Sequence, residues 1–382
     1  MSRVYFDNAA TTPIAKEVID AMVKVMELDF GNPSSVHAPG RKARTIIEES
    51  RKSVAKALNC SPGEIFFTSC GTEADNMGIR KSVDCCGIKN IITSAIEHHA
   101  VLHTVEELEK SGRIKMHLVN LLENGHVDLN HLEELLQQNS NVLISLMHAN
   151  NEIGNMLDLE KVSELAEKYK ALFHCDTVQT IGHYDFDLSK LNIHFLAGSA
   201  HKFNGPKGIG FIYINHKTKI TPYITGGSQE RNMRAGTENI YGIAGLSKAL
   251  EMATQNLENE IKHIQEIKTY MIDQLKEKMN GVDFNGDTEG NSLCTVLNVS
   301  FPPSSINEMI LFKLDIAGIS ASGGSACTSG SNAGSHVMKA IKANPERAAV
   351  RFSFGKYNTK AEVDFVVIKL IEMFQVKKSV EA

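Results

Sequence analysis

The stretch Ser199-Ala200-His201-Lys202-Phe203-Asn204-Gly205-Pro206-Lys207-Gly208-Ile209-Gly210 is a polar, glycine-rich turn between two apolar runs, Ile193 to Ala197 and Ile209 to Ile214. The runs predict two buried strands, and a turn between buried strands presents its few polar side chains at the edge of a sheet. An ammonium group that is partly desolvated there loses its proton more readily and can attack an aldehyde. Lys202 is therefore a candidate catalytic amine, although the turn alone is also typical of a surface loop with a solvated lysine.

A carboxylate is expected near the same edge. The segment from Ala171 to Thr180 contains a short apolar strand that would end at Asp176, before the Lys202 turn. A carboxylate in that place can hold a protonated ring nitrogen of an aldehyde cofactor, because the negative charge favours the cationic ring. The alternative is an aspartate that only caps the segment after it.

Two further strands are predicted to end in polar residues. The segment from Glu64 to Asn76 indicates a strand that breaks at Gly71 and opens a helix, and a helix start binds anions through its unpaired N–H groups and its dipole. Thr72 can alternatively be no more than the cap of that helix. The run that starts at Asn90 ends in His98 and His99. One of them can lie against an aromatic ring or move protons near neutral pH, and the other would then be solvated.

These segments, in this order, resemble the pyridoxal-phosphate-dependent cysteine desulfurases, which belong to the fold type I (aspartate aminotransferase-like) enzymes. The resemblance covers nearly the whole chain. It is carried by Tyr5-Phe6-Asp7-Asn8-Ala9-Ala10-Thr11-Thr12, Gly31-Asn32-Pro33-Ser34-Ser35-Val36-His37, His148-Ala149-Asn150-Asn151-Glu152-Ile153-Gly154, Gly226-Gly227-Ser228-Gln229-Glu230-Arg231, Arg234-Ala235-Gly236-Thr237 and Val350-Arg351-Phe352-Ser353-Phe354-Gly355.

The resemblance implies a pyridoxal 5'-phosphate site and assigns roles to its residues. Lys202 would carry the cofactor as an imine and act as the base, Asp176 would hold the ring nitrogen, and His98 would lie over the ring and manage thiol protons. The implied cofactor-binding residues are Gly71, Thr72, His98, Asn151, Asp176, Gln179, Ser199, His201, Lys202 and Thr237. Thr237 would reach the phosphate of the neighbouring subunit, so that a homodimer is implied.

Substrate binding is assigned in the same way. Arg351, with Asn151, would hold the α-carboxylate of an amino acid, since the planar guanidinium matches a carboxylate. The alternative for Arg351 is an arginine at a strand end that pairs with a structural acid.

A thiol separates a desulfurase from an aminotransferase on this scaffold. The segment Ser322-Gly323-Gly324-Ser325-Ala326-Cys327-Thr328-Ser329-Gly330-Ser331 supplies Cys327 in a run of small residues that is typical of a loop and not of a packed core. By resemblance, Cys327 is the catalytic cysteine that receives sulfur from L-cysteine as a persulfide, with alanine as the second product. The alternative is a small apolar cysteine buried in a helix.

The resemblance also implies a sulfur-acceptor protein, either a scaffold for iron–sulfur cluster assembly or a tRNA-thiolation enzyme. Two other hypotheses stay open from the sequence. One is a related pyridoxal enzyme, namely a selenocysteine lyase or an aminotransferase. The other is a non-enzymatic scaffold that has kept the fold.

Composition sets wider bounds. The chain has 382 residues, 42% of them hydrophobic and 22% charged, and a formal charge of −5, which is ordinary for a soluble protein and argues against nucleic-acid binding. No run of eighteen apolar residues and no signal-peptide pattern occur, so a cytoplasmic protein without a membrane partner is expected. The seven cysteines and fifteen histidines lack metal-ligand spacing, and no metal site is expected.

Strand-like and helical segments alternate between residues 42 and 214, which predicts an α/β fold with a mostly parallel sheet flanked by helices. A long polar segment with helical periodicity, Leu246 to Met279, is expected to cross between domains. The predicted division is a large cofactor-binding domain over residues 15–255 and a smaller α/β domain formed by residues 1–14 and 256–382.

Overall fold

The computed structural model describes residues 3–323 and 334–375 of the chain. Within these ranges the strands form a large sheet, a small sheet and a two-stranded pair. The strands are β1 (Val4–Tyr5), β2 (Ile65–Thr68), β3 (Asn90–Ser94), β4 (Lys115–Val119), β5 (Val142–Ser145), β6 (Leu172–Asp176), β7 (Phe195–Ser199), β8 (Gly210–Ile214), β9 (Asp283–Asn285), β10 (Val296–Phe301), β11 (Ile319–Ser320) and β12 (Ala348–Ser353).

The large sheet has the order β2-β8-β7-β6-β5-β3-β4 in the part of the chain described above. Strands β3 to β7 run parallel to one another, whereas β8 is antiparallel to both of its neighbours. Strands β2, β5, β7 and β8 are buried along their whole length, as expected for a sheet that is covered on both faces. The predicted α/β class with a mostly parallel sheet is therefore confirmed.

Helices cover this sheet and the small one. They are α1 (Lys16–Leu28), α2 (Ala38–Ala57), α3 (Gly71–Cys85), α4 (His99–Lys110), α5 (Leu129–Gln138), α6 (Leu159–Lys168), α7 (Ile240–Gln255), α8 (Leu257–Lys278), α9 (Ile310–Ile316), α10 (His336–Ala340) and α11 (Lys360–Gln375). Several begin at side-chain caps, for example α6, where the Asp158 carboxylate accepts a hydrogen bond from the Lys161 N–H at 2.9 Å. No helix of the described residues is long and apolar enough to span a membrane.

A second unit surrounds the small antiparallel sheet β12-β10-β9. Its core combines Val4 and Phe6 with residues of α8, β10, β12 and α11, whereas the main core of the large sheet draws on residues between Ala15 and Leu250. We keep the division into residues 15–255, and 1–14 with 256–382, as a proposal that these two separate cores support.

The Leu246–Met279 segment and strand β4 are among the elements that depart from the sequence-based expectation. The segment from Leu246 to Met279 is not one helix, because α7 ends at Gln255 and α8 starts at Leu257, with Asn256 between them at φ −115° and ψ 15°. Strand β4 was not predicted, since its outer residues are exposed or half-buried at the sheet edge and give no apolar run.

Candidate active site

A cavity of about 210 Å³ lies where the carboxyl ends of β6 and β7 meet the start of α3. Polar side chains from several elements converge on it, which is the usual place for a site in an open parallel sheet. The lining residues are Ala9, Ala10, Cys70, Gly71, Thr72, Asp75, His98, Met147, Asn151, Asp176, Val178, Gln179, Ser199, His201, Lys202 and Arg351.

Most of the sequence-predicted site residues meet in this cavity. Those that line it are Gly71, Thr72, His98, Asn151, Asp176, Gln179, Ser199, His201, Lys202 and Arg351. Thr237 does not line it, and Cys327 lies outside the described residues. One cavity thus collects residues that are as far apart in the chain as Gly71 and Arg351.

Lys202 ends a single turn of 3-10 helix, Ala200–Lys202, that follows β7. Its side chain is half-buried, and Nζ donates hydrogen bonds to the backbone carbonyls of Ala9 and Ala10. The alternative of a solvated surface lysine is therefore wrong. The amine is held at the cavity by carbonyls from the N-terminal segment.

Asp176 is the last residue of β6, as the sequence predicted. Its Oδ1 accepts a hydrogen bond from the Val178 N–H at 2.9 Å, so Asp176 does cap the segment that follows it. The same residue also lines the cavity. Burial raises the pKa of Asp176, and the positive charge of Lys202 opposes that rise.

Two more buried carboxyl groups stand near Asp176. Asp75 of α3 lines the cavity, and its Oδ1 lies 3.4 Å from Nε2 of His174 without a hydrogen-bond partner among the described residues. Burial first, and then the charges of Asp176 and Glu97, raise the pKa of Asp75 well above its usual value. Burial also raises the pKa of Glu97. Behind Asp176, burial therefore favours the neutral, protonated form of these carboxyl groups.

His98 is the N-cap of α4, and its Nδ1 accepts a hydrogen bond from the Ala100 N–H at 3.1 Å. Burial, with smaller contributions from Lys202, His336 and His103, lowers the pKa of His98 to about 4. The ring is thus neutral near pH 7, and because Nδ1 is the acceptor its proton is on Nε2.

The neighbouring His99 does not line the cavity. Its ring stacks on His103 and packs on His336, with ring centroids 4.5 Å apart in both pairs. Of the two histidines that the sequence singled out, His98 is the one at the site.

The start of α3 has the character of an anion site. Cys70 is the N-cap, so the alternative that Thr72 caps the helix is wrong, and the Cys70 side chain forms no cap hydrogen bond in the described part of the chain. Ser199 Oγ is buried and has no hydrogen-bond partner among the described residues. A Cβ on Gly71 would lie 2.5 Å from Cγ2 of Val178, so a side chain there would intrude on the space beside the helix start.

Two other predicted residues are tied to the N-terminal segment. Nδ1 of His201 lies 3.2 Å from the Thr11 hydroxyl, and Nε2 of Gln179 donates to the Ala9 carbonyl at 3.1 Å. Burial, with smaller contributions from Lys202 and Lys207, lowers the pKa of His201 to about 4. His201 therefore enters the cavity as a neutral hydrogen-bonding group.

Arg351 lies in β12 and is 1% exposed. Its Nη1 donates to the Asn151 carbonyl at 2.8 Å, and its Nη2 donates to Oδ1 of Asp7 at 2.9 Å. The alternative of an arginine paired with a structural acid is thus realised, although the same residue also lines the cavity.

Thr237 is exposed and lines a different depression on the surface. The other lining residues of that depression are Met26, Phe30, Gly31, Asn32, Pro33, Glu238, Ile240 and Tyr241. Binding of Thr237 to the cofactor of a neighbouring subunit stays a prediction.

Sequence reasoning did not assign site roles to Asp7, Ala9, Ala10 or Asp75. Asp75 could have been predicted from the sequence, because it shares the buried face of α3 with the small residues Gly71, Ala74 and Gly78. The carbonyls of Ala9 and Ala10 give no side-chain signal, so they emerge only from the tertiary structure.

The comparisons with known proteins agree with this geometry. The family model described as aminotransferase class-V matches residues 4–366. The chain belongs to the class-V aminotransferase family. It is 44% identical to the cysteine desulfurase IscS of Dictyoglomus turgidum over 368 residues, which is 95% of this chain and 92% of that protein.

Solved structures give the same result. A NifS-like protein is 37% identical with a TM-score of 0.90, and the match covers 97% of this chain and 99% of the other. The structure of SspA in complex with cysteine is 30% identical with a TM-score of 0.81, and the match covers 93% of this chain and 100% of the other. The fold type I architecture and the place of the chain among the cysteine desulfurases are thereby confirmed.

Proposed function

We propose that this class-V aminotransferase family member is a cysteine desulfurase that converts L-cysteine to L-alanine and receives the sulfur on Cys327. The observation that carries the proposal is the convergence of Lys202, Asp176, His98 and Arg351 on one cavity. The full-length similarity to proteins named cysteine desulfurase supports it, as does a similar protein that was solved with cysteine.

The cavity fits pyridoxal 5'-phosphate, the cofactor that we propose for it. Among the described residues, the start of α3 has no side-chain cap and the buried Ser199 Oγ has no hydrogen-bond partner. Both suit a phosphate, since they supply donors where an anion is favoured. Gly71, Thr72 and His201 would complete the phosphate end. Asp176 would hold the ring nitrogen and Gln179 the ring oxygen, with Asn151 nearby. When bound, this cofactor stabilises negative charge that develops on the substrate's α-carbon.

Lys202 and His98 are proposed to act on the protons of the substrate in different ways. Lys202 would take the α-proton of L-cysteine and return a proton to the product, because its amine is held at the cavity by the carbonyls of Ala9 and Ala10. His98 is neutral and has its proton on Nε2, so this N–H would donate a hydrogen bond to the substrate sulfur and stabilise its thiolate form, while the ring keeps the proton.

Binding of the substrate carboxylate is proposed for Arg351 and Asn151. The Arg351 guanidinium lines the cavity and is oriented by its hydrogen bond to the Asn151 carbonyl. A guanidinium held in this way offers its remaining N–H groups in a fixed plane, which suits a carboxylate.

The sulfur step balances without a further oxidant or reductant. The Cys327 thiolate attacks the substrate sulfur, an S–S bond forms, and the C–S bond breaks with its electron pair on the substrate carbon. Protonation of that carbon yields alanine, and the enzyme keeps a persulfide. We propose that a partner protein of iron–sulfur cluster assembly or of tRNA thiolation accepts this sulfur in the cytoplasm.

A homodimer is part of the proposal. Thr237 lies away from the cavity of its own chain beside exposed apolar residues, among them Phe30 and Tyr241. A second copy packed on that surface would cover the apolar side chains and bring Thr237 to the cofactor phosphate of its partner.

The decisive experiment measures sulfide and alanine released from L-cysteine with dithiothreitol. Wild-type protein should produce both, and Cys327→Ser should lose at least about a hundredfold of the sulfide output because the nucleophile is gone. Cys85→Ser is the matched control, since the Cys85 thiol contacts the Thr221 hydroxyl away from the cavity, and it should behave as wild type.

Full sulfide output from Cys327→Ser would refute the role of Cys327. If that variant instead processed selenocysteine, or a keto acid with an amino donor, at the wild-type rate, a selenocysteine lyase or an aminotransferase would replace the proposal. Protein that neither binds the cofactor nor turns over cysteine would indicate a non-enzymatic scaffold.

A further inference from the structure

The guanidinium that is proposed to hold the substrate carboxylate already holds a carboxylate of this chain. Asp7 Oδ1 accepts a hydrogen bond from Nη2 of Arg351 at 2.9 Å and another from the Ser322 hydroxyl at 2.8 Å. Asp7 belongs to the N-terminal segment that also supplies the carbonyls for Lys202. The inference below rests on the proposed function, because it concerns the same carboxylate subsite.

The position of Arg351 is fixed from several sides. Its backbone N–H donates to the Ser322 carbonyl at 2.6 Å, and its carbonyl accepts from the Ser322 N–H at 3.2 Å. Nη1 is bound to the Asn151 carbonyl, and Nε is buried without a hydrogen-bond partner in the described part of the chain. The bonds to Asn151 and Asp7 use one N–H of each terminal nitrogen, so each of these nitrogens keeps a second N–H that can bind a ligand.

The charges at this subsite cancel. Arg351 is 1% exposed and the Asp7 side chain is 19% exposed, so water screens the pair only weakly. An incoming carboxylate therefore meets a nearly neutral pair, with a negative charge on the far side of the guanidinium. The pair therefore attracts the incoming carboxylate less strongly than a lone guanidinium would, but the N–H donors of Arg351 stay in one plane and can still bind it.

We propose that Asp7 is a positioning and specificity-determining residue of the substrate-carboxylate subsite. It orients the Arg351 guanidinium and cancels its charge, so that the subsite selects a carboxylate by hydrogen-bond geometry more than by charge. Charge cancellation would also affect product release. L-Alanine has the same carboxylate as L-cysteine, so a subsite with a full positive charge would hold the product more tightly and slow its release.

Asp7→Asn separates the two effects. The amide oxygen can accept the bonds from Arg351 and Ser322, so the position is kept while the negative charge is lost. The probe is 3-mercaptopropionate, which has the carboxylate and thiol of cysteine but no amine, and its neutral amide serves as the comparison. Titration calorimetry on cofactor-loaded protein should show that Asp7→Asn binds the carboxylate probe about five- to tenfold more tightly than wild type, with the amide probe unchanged.

Asp7→Ala and Ser322→Ala are the matched variants. Asp7→Ala loses both the charge and the orientation, so its affinity for the carboxylate probe should rise less than that of Asp7→Asn and its kcat with L-cysteine should fall. Ser322→Ala keeps the charge and removes one bond that holds Asp7, so it should not bind the carboxylate probe more tightly than wild type.

Equal or weaker binding of the carboxylate probe by folded Asp7→Asn would overturn the proposal. If Asp7→Asn fails to fold, wild type alone decides, because it should prefer the carboxylate probe over its amide by less than about tenfold, and a preference above about a hundredfold contradicts charge cancellation. Failure of the proposed function is recognised separately, as wild-type protein that releases no sulfide from L-cysteine.

Discussion

Single side chains at the cavity fall into two groups. Lys202, Gln179, His201 and Arg351 have partners within the chain, most of them in the N-terminal segment. Ser199 Oγ is buried and unpartnered among the described residues. A buried hydroxyl without a partner is a cost to the folded protein that a ligand can remove.

Ser199→Ala is therefore expected to affect cofactor binding and not the apo fold. The apo protein should unfold at the same temperature as wild type or slightly above it, because no bond within the described chain is lost. Affinity for pyridoxal phosphate should fall by about ten- to 150-fold, the value of one hydrogen bond to a charged group. Thermal unfolding of apo protein and a fluorescence titration with the cofactor measure the two effects.

Ser163→Ala is the control for that experiment. Ser163 is also buried, but its hydroxyl accepts a hydrogen bond from the Asn192 N–H. Its loss should lower the apo unfolding temperature and leave cofactor affinity unchanged. A Ser199→Ala protein that is destabilised like Ser163→Ala, with normal cofactor affinity, would contradict the assignment.

The residue scale also shows what the sequence could predict. Lys202 and Asp176 were identifiable because each follows an apolar run, and strand ends converge at a sheet edge. Asp7 was quoted only as part of a motif, and its contact with Arg351 joins residues from opposite ends of the chain. No local pattern predicts such a pair, since a single acidic residue has the same appearance whether it is solvated or paired.

Among the elements, strands with buried faces were the most predictable and edges the least. Strands β5, β6 and β8 appear close to their expected limits because most of their residues are apolar. The break at Asn256 was not visible in the sequence, because the apolar periodicity continues on both sides of it. The structure shows that α7 packs on α1 and α2, whereas α8 packs on α11.

Helix α8 contains a buried amine. Lys268 is 1% exposed, and its Nζ donates to the Ser292 hydroxyl at 2.8 Å and to the Leu293 carbonyl at 2.9 Å. Burial lowers the pKa of Lys268 to about 8. A neutral amine has two N–H groups, which match these two acceptors.

Stability should therefore depend on pH through Lys268. Between pH 8 and about 10.4, the usual lysine pKa, the unfolded chain binds a proton that the folded chain has lost, so the free energy of unfolding rises with pH. Relative to Lys268→Met, wild type should gain up to about 3 kcal/mol over this range. Urea unfolding at pH 7.5 and 10.5 measures the difference.

Lys262→Met on the same helix is the control, because Lys262 is exposed. The difference between wild type and Lys262→Met should stay constant with pH. A constant difference for Lys268→Met as well would mean that Lys268 keeps its charge in the folded protein.

On the scale of the whole molecule, an exposed apolar surface surrounds Thr237. Met26, Phe30 and Tyr241 line the same depression as Thr237 and are 45%, 78% and 44% exposed. Large apolar side chains clustered at a surface mark an interface. This surface is where the proposed second subunit is expected.

Phe30→Glu should shift the protein from a dimer of 42.0 kDa chains to a monomer, because a charge would be buried without a partner. Cofactor affinity should fall with dissociation, since Thr237 of the partner would be lost from the phosphate. Sedimentation measures the mass, and absorbance of the bound cofactor measures occupancy. Phe312→Glu is the control, as Phe312 is 57% exposed on α9 and should leave the dimer intact.

The N-terminal contacts of the cavity have a consequence for synthesis. Asp7, Ala9 and Ala10 leave the ribosome long before Arg351, and at usual elongation rates they wait roughly half a minute for it. Until then Lys202 has its carbonyls available but the carboxylate subsite has no guanidinium. Loading of the proposed vitamin B6 cofactor into a competent site would thus follow translation, and a bulky tag fused close to Asp7 is expected to interfere with this last step of maturation.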